Sequence, residues 1–571
     1  MKSYHYLLIA ILHFILFSQR VAAQDPLPKW MTAAEKEIFQ QYLDELPAGK
    51  QVTPPSSLPR TPGEYEEVQG MVVTWAAYSA ELREIVRHAR TATTVYIICS
   101  NPSQAQSYLT SGNVPLDNIV FIQAAFNSVW IRDYGPQSIY LADGDQLAFV
   151  DWVYNRPRPS DNLIPGVLAN YFSLPFFQMT TNPNRLTATG GNFIFDGFGS
   201  GFSSELILTE NSNLTEAQID NIMLNYLGID RYIKMPELPY DNISHIDMHM
   251  KLLNEETFLV GQFPTGVSDG PYIESNLQNL LNNHMSVYNR PYKVVRIPMV
   301  PSSSGNYPPN ASYRTYTNSI ILNNLVLVPT YGHYLDTQAL QIYQDAMPGY
   351  EIVGINMDNV ISASGAIHCI VREIAAEDPI LFAHASPDTI SAWQESFEVK
   401  ASITSHSGIE TATLFWTTDL ALGFWEEEMI LENDTFRAWI PVQDYSTQIA
   451  YYFSATNGNG KTSTKPLVAP EGYYRFQYNS TVSVTEPAQN LRFMVYPNPS
   501  DGHVTLTMPA SGAETELIVT TIHGQVIYRK IIASSASDPM LNIDLRNQPA
   551  GIYLIRLTSG NETGLEKIII R

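Results

Sequence analysis

Four side chains of the kinds that nucleophilic hydrolysis needs lie far apart along this chain: Cys369, His245 and the two aspartates Asp133 and Asp247. A thiolate is a strong nucleophile, an imidazole can give and take a proton, and carboxylates grip the planar fork of donors that a nitrogen-rich cation presents. Together they suit attack on a guanidinium, whose carbon is cationic but resonance-stabilised. Such a carbon has to be oriented, struck by a strong nucleophile and relieved of ammonia by a proton donor.

Each member also has a plainer reading. In a strand, period two would put His245 and Asp247 of His245-Ile246-Asp247 on one face, and His249 continues the period. That run fits catalysis, a His-x-Asp-x-His metal site or simple burial. Trp130-Ile131-Arg132-Asp133-Tyr134-Gly135-Pro136 ends in a Gly-Pro breaker, which places Asp133 near the end of an element; a surface turn is the alternative. Gly190-Gly191-Asn192 lets backbone approach closely, as many turns do. The only two cysteines are Cys99 and Cys369. In an exported protein they read first as a disulfide, but one staple adds little to a chain of 571 residues, so a free, reactive Cys369 stays open.

The elements around these residues divide the chain. Lys2, the apolar run Tyr6 to Phe17 and Val21-Ala22-Ala23 read as a secretory signal over 1–23, too short to span a bilayer. A polar leader or pro-segment, 24–62, carries one helical stretch, Thr32 to Leu46, and then prolines. From 63 to 375, strands such as Met71 to Trp75, Val95 to Ile98, Ile320 to Pro329 and Glu351 to Ile355 alternate with helical stretches such as Ala80 to His88 and Asp336 to Ala346, which predicts an α/β domain. Residues 376–479 change to short alternating strands with the turn Asn457-Gly458-Asn459-Gly460, the pattern of an immunoglobulin-like sandwich without its disulfide. A Ser/Thr-rich joint, 480–490, leads to a small β module, 491–571.

A net charge of −23 argues against nucleic acid as a partner and would favour cationic substrates. With 44% hydrophobic and 16% charged residues and no later apolar run long enough to span a membrane, the expected product is a soluble exported protein.

In order, Trp-x-Arg-Asp-x-Gly-Pro, Gly-Gly-Asn, His-x-Asp and Gly-x-x-His-Cys resemble the guanidine-modifying, or amidinotransferase-fold, enzymes over nearly all of 63–375. The resemblance implies a pseudo-fivefold α/β propeller with its site at the centre. It makes Cys369 the nucleophile, His245 the general acid/base, Asp133 and Asp247 the guanidinium ligands, Asn318 an orienting group and Trp130 a wall of the site. It requires no metal or cofactor. Gly365-Ala366-Ile367-His368-Cys369 looks like the agmatine deiminases. Asn155-Arg156-Pro157-Arg158-Pro159, Thr317 to Asn324 and Met347 to Glu351 look like the bacterial secreted peptidylarginine deiminases. In the latter the paired arginines hold a peptide's terminal carboxylate, a role that passes to Arg156 and Arg158; two nearby guanidinium groups make a good carboxylate clamp, and agmatine has no carboxylate. Before His245 those enzymes have a tyrosine nearer the histidine, and here Ile243 stands as the substrate-packing candidate.

Tyr496-Pro497-Asn498-Pro499, Gly551-Ile552-Tyr553 and the basic end Lys567 to Arg571 resemble the sorting domain of proteins exported by the bacterial type IX secretion machinery. The expectation is a secreted or surface deiminase that converts peptidyl-arginine to citrulline, C-terminal arginine first. Agmatine deiminase is the alternative, followed by a non-catalytic adhesin or a metal-dependent hydrolase using His245, Asp247 and His249.

Overall fold

The computed structural model describes residues 26–46, 53–141, 146–387, 389–390, 396–441, 447–478, 491–507, 514–522, 524–533, 540–560 and 562–571. The expected signal, 1–23, and the joint, 480–490, lie outside the described residues.

The α/β region consists of five sheets built to one plan. The strands are β1 (Val68–Thr74), β2 (Thr94–Cys99) and β3 (Ile119–Gln123); β4 (Gln137–Leu141), β5 (Gln146–Tyr154), β6 (Phe176–Met179) and the short β7 (Thr187–Ala188); β8 (Ile194–Phe195), β9 (Ser200–Ser204) and β10 (Arg231–Met235); β11 (Met250–Asn254), β12 (Thr257–Gln262) and β13 (Lys293–Pro298); β14 (Ile320–Leu322), β15 (Leu325–Thr330) and β16 (Glu351–Asn356); and β17 (Val371–Ala375). In four sheets an antiparallel pair is followed by a parallel strand reached through helix: β4-β5-β6, β8-β9-β10, β11-β12-β13 and β14-β15-β16. In the first sheet the antiparallel partner of β1 is β17, the last strand of the region, so the chain's two ends there meet in one sheet.

Local chemistry explains the pieces. Helix Ser79–Ala92 buries Leu82, Ile85, Val86 and Ala89, one stripe at three- and four-residue spacing. Helix Glu216–Leu227 starts at a capping box of Thr215 and Gln218. It stops at Gly228, whose φ of 68° suits glycine, and a Cβ there would lie 1.8 Å from the Pro59 carbonyl oxygen. The single strand expected from Ile320 to Pro329 is instead the hairpin β14–β15. Asn323 turns it with a φ of 54°, which asparagine tolerates, and its side chain bonds Val68 N and O and Ala92 O. The pair Asn323-Asn324 inside an otherwise apolar run marks that turn.

Beyond the α/β region, two sheets, antiparallel except for the short parallel pairing of Thr389–Ile390 with Tyr474–Tyr478, enclose one apolar core that includes Phe397, Leu414, Ile440, Tyr451 and Phe453. Strands Thr447–Asn457 and Thr462–Lys465 pair across the Asn457–Gly460 turn. This part is tied to the α/β region by the Lys465–Glu255 ion pair and by Arg290 Nη1, 2.7 Å from the Ser386 carbonyl oxygen. The chain divides into two compact units, and Asn479–Arg571 belongs to the second. By itself that unit is two antiparallel sheets over a core of Val504, Leu506, Leu517, Val519, Ile555 and Leu557.

Candidate active site

Four of the five connections from one sheet to the next carry a candidate side chain and the fifth carries the Gly190-Gly191-Asn192 turn, which is how residues so distant in sequence meet. The β3–β4 connection holds the short helix Ile131–Tyr134 with Asp133. The β7–β8 connection is the 3₁₀ turn Gly190–Asn192. The β10–β11 connection is the 3₁₀ turn Ile246–Met248, with His245 before it and His249 after it. The β13–β14 connection brings Asn318, and the β16–β17 connection is the 3₁₀ turn His368–Ile370 around Cys369. His245 and Asp247 are therefore not on a strand: a three-residue alternation is too short to distinguish a strand from a tight turn.

Cross-links join these turns. Arg132 pairs with Glu373 and its Nε donates to His368 O at 3.1 Å, fixing Asp133's connection to that of Cys369. Asn192 Oδ1 accepts from Ile246 N at 3.3 Å, and Thr317 Oγ1 donates to Asp247 O at 3.1 Å. Asn318 Oδ1 accepts from Ala366 N at 3.2 Å and lies 3.4 Å from Cys369 Sγ, so Asn318 shapes the loop that presents the thiol. Trp130 is buried and its indole Nε1 donates to Leu27 O at 2.8 Å. Ile243 is buried in the apolar core, its N–H on Asp241 Oδ1 at 3.1 Å. Both cysteines are free, so the disulfide reading is excluded.

At the centre, Cys369 Sγ is 3.8 Å from Asp247 Oδ2, and His245 Nδ1 is 3.7 Å from Asp133 Oδ1. Asp133 Oδ1, Asp247 Oδ1 and both nitrogens of His245 are buried without a hydrogen-bond partner, an arrangement that calls for a cationic donor. Lys29, from the leader, supplies one: its Nζ is 2.8 Å from Cys369 Sγ and 3.7 Å from Asp133 Oδ1. Burial alone would lower the Lys29 ammonium, yet Asp133, Asp247 and Cys369 outweigh it and hold it above the ordinary lysine range. Burial pushes the Cys369 thiol up to about 12, and Lys29 offsets part of that. Against its burial, Asp247 is kept below the usual carboxylate range by Lys29 and His368, whereas Asp133 is raised, mainly by burial. Burial, reinforced by Lys29, holds His245 neutral, not protonated as the resting general acid would require.

Several residues here carried no role in the sequence reading. His368 bridges Asp247 Oδ2 at 2.8 Å and Glu64 Oε2 at 2.7 Å, and Glu64 in turn pairs with Lys251. This chain of groups orients the Asp247 carboxylate. The signal for His368 was its place beside Cys369; Glu64 and Lys29 stand in no motif. Arg156 and Arg158 are buried, but they meet main chain: Arg156 Nε donates to Lys29 O at 2.9 Å, and Arg158 Nη2 to Pro28 O at 2.7 Å. Among the described residues, no group of three or more His, Cys, Asp or Glu is arranged to hold a metal ion, so His245, Asp247 and His249 form no such cluster.

Two predictions follow from this packing. A methyl group at Gly191 would lie 2.7 Å from His245 Nδ1, 3.0 Å from Asp133 Oδ1 and 3.1 Å from Asp247 Oδ2. Gly191→Ala should leave the fold intact but lower kcat/KM on any guanidine substrate by about 100-fold or more, because it fills the cation's seat; an unchanged kcat/KM would show that the seat lies elsewhere. His249 is buried with neither ring nitrogen bonded, and burial lowers it to about 4. Because its folded value lies below the unfolded one, its contribution is fully present above about pH 6.5 and is lost as the pH falls toward 4, by about 3 kcal/mol. Urea unfolding of the wild type and of His249→Asn at pH 7 and 4.5 should show a smaller acid loss in the variant.

Comparison with known proteins bears on the α/β region and on the C-terminal unit. The sequence profile of the Porphyromonas-type peptidyl-arginine deiminases matches residues 60–374, and that of the secretion system C-terminal sorting domain matches 494–571. A provisionally named agmatine deiminase of Vibrio parahaemolyticus is 24% identical over 291 residues, covering 45% of this chain and 79% of the relative. One of Legionella pneumophila is 27% identical over 270 residues, covering 45% and 75%. A crystal structure of a provisionally named peptidyl-arginine deiminase superposes with a TM-score of 0.50 at 20% identity, over 56% of this chain and 99% of that one. An X-ray structure of a provisionally named agmatine deiminase gives 0.50 at 20%, over 57% and 99%. These likenesses fix the fold of the α/β region.

Proposed function

The chain belongs to the Porphyromonas-type peptidyl-arginine deiminase family, matched over residues 60–374, and from that premise we propose that it hydrolyses the guanidinium of peptidyl-arginine to citrulline and ammonia. The five sheets are the blades of a pseudo-fivefold propeller, with 63–375 as the deiminase domain and 376–479 as an immunoglobulin-like accessory. The sorting domain over 494–571 indicates export to the surface or beyond, and among the described residues no helix is long and apolar enough to cross a membrane.

Asp133 and Asp247 hold the substrate guanidinium where the Lys29 ammonium now sits. Cys369 Sγ bonds to the guanidinium carbon, and its proton passes by way of neutral His245 to the nitrogen that leaves as ammonia. A thiouronium adduct remains. Water, giving a proton to His245, adds to the same carbon; the S–C bond breaks, the thiol regains its proton and a ureido group is released. Asn318 and the Glu64–His368 chain keep thiol and carboxylate in line.

One observation carries the substrate assignment: Arg156 and Arg158 grip main-chain carbonyls next to the residue in the seat. A peptide ending in arginine would place its carboxylate on these guanidinium groups, and agmatine has nothing to offer them. Agmatine is the second reading, favoured by the names of the curated relatives. Ureido product should be measured from agmatine, free arginine and peptides with internal or terminal arginine, using protein cut free of its leader. The expected order puts C-terminal peptidyl-arginine first, at least about 100-fold above agmatine in kcat/KM, the scale of two charge-assisted hydrogen bonds. A preference for agmatine would reverse the assignment. Chelator should leave the rate unchanged; its loss would favour the metal-dependent hydrolase, and absence of any product would favour the adhesin.

A further inference from the structure

The leader puts a lysine where the proposed reaction needs an arginine. Lys29 is fully buried, and it meets the groups that the proposed reaction assigns to the substrate. Its side chain ends between Cys369 and Asp133. Its N–H donates to Ala363 O at 3.1 Å, its carbonyl accepts from Arg156, and the Pro28 carbonyl accepts from Arg158. One residue further back, Leu27 O takes the Trp130 indole N–H. The helix that follows, Ala33–Glu45, buries no residue of its own. It is tied down by Glu35, which accepts from Arg158 Nε at 2.7 Å, and by Arg185, which donates to Leu43 O at 2.8 Å. The leader is thus held chiefly through the groups that the proposed substrate would use.

An ammonium satisfies the charge requirement of the seat but not the chemistry. The carbon beside its nitrogen is a saturated methylene, so Cys369 has nothing to attack. A spacer has no need of such a residue, since taking an ammonium out of water is unfavourable unless opposite charge surrounds it. Here that charge is the catalytic carboxylate pair itself.

We propose that residues 27–45 are an intramolecular inhibitor, a lysine pseudosubstrate that keeps the deiminase latent until the leader is cut away or displaced. The inference rests on the deiminase reading above. Leader and substrate compete for Arg156, Arg158, Asp133 and Asp247, so both cannot bind at once. Because the leader is attached, its local concentration is that of a short tether, and cutting it turns a standing block into a dissociable one.

Three measurements on the full chain test this. First, a recognition sequence for a specific protease is inserted between Leu46 and Thr53, and Lys29→Ala is made separately; both should raise kcat/KM on a small arginine substrate by about 100-fold or more over the intact chain. If Lys29→Ala instead lowers activity, Lys29 belongs to the catalytic machinery and the inhibitor reading fails. Second, Lys29→Arg gives the leader the carbon that lysine lacks. Cys369 Sγ should bond to it, ammonia should leave, and water should then release the thiol, so that one ammonia forms per chain and the residue at position 29 becomes a citrulline. The same change combined with Cys369→Ala should stay unmodified. A Lys29→Arg chain that hydrolyses added substrate yet keeps its own arginine intact would overturn the proposal. Third, alkylation of Cys369 by iodoacetamide is read without any substrate. It should be slow in the intact chain and fast after cutting or in Lys29→Ala; equal rates would overturn the inhibitor even if no guanidine substrate is found, whereas faster alkylation with no turnover would leave the plug standing and remove the deiminase reading.

Discussion

Cys369→Ala is expected to cut ureido product formation by about 10⁵-fold, the scale of losing a catalytic nucleophile, measured on protein released from its leader. The expectation rests on the balance of charge around the thiol. Burial and two carboxylates hold the Cys369 proton on, up to about 12, and only a cation in the seat opposes them. That value holds with the Lys29 ammonium already 2.8 Å from Sγ, so a cation in the seat does not by itself ionise the thiol, and the proton has to leave as Sγ attacks. The proper control is Cys99→Ala. Cys99 ends β2 within the apolar core, and burial raises its thiol without a cation nearby. That change should cost about 1 kcal/mol of stability and leave kcat unaltered. A residual rate in Cys369→Ala within tenfold of the parent would remove the covalent route altogether.

What could be read from the sequence, and what could not, follows from how the site is assembled. Asp133, His245, Asp247, Asn318 and Cys369 each lie on a connection between sheets, and several of those connections have local signatures: a Gly-Pro breaker after Asp133, a glycine pair at 190–191, a glycine four residues before Cys369. Such signatures survive in a linear reading because they encode turns. The Glu64–His368–Asp247 chain has no such mark. Glu64 and His368 are 304 residues apart and meet only because β17 returns to pair with β1. Lys29 and Cys369 are 340 residues apart, and the leader's polar composition concealed a buried residue. The recurrence of the fold was invisible for a related reason: it resides in strand order, hairpin then parallel strand, which many different apolar residues satisfy equally well.

Electrostatics adds a layer that no motif encodes. The same carboxylate type is raised at Asp133, where burial and the Asp247 charge outweigh Lys29 and Arg156, and lowered at Asp247, where Lys29 and the 2.8 Å bond to the His368 ring outweigh burial. Asp247 is therefore the firm anion of the seat and Asp133 its adjustable partner. This asymmetry suits a site that must hold a cation first and then release a neutral ureido product.

Replacing both Arg156 and Arg158 by alanine should separate the two substrate readings most sharply. Each guanidinium makes a charge-assisted bond to main chain at the seat, worth about 1.5–3 kcal/mol against a carboxylate, so the pair together supports a 10²- to 10⁴-fold advantage for a peptide substrate. With both removed, KM for a peptide ending in arginine should rise by that factor, while kcat falls little because neither group touches the reacting carbon. Agmatine, which has no carbonyl or carboxylate to offer, should lose less than about tenfold in kcat/KM. In the intact chain a second effect runs the other way. The leader loses its hold on Arg156 and Arg158 as well, and Glu35 loses its partner, so agmatine turnover by the uncut double variant should rise above that of the uncut parent. If peptide and agmatine decline in parallel in the cut protein, the two arginines only support the fold around Asn155, and the peptide specificity proposed here must come from another surface.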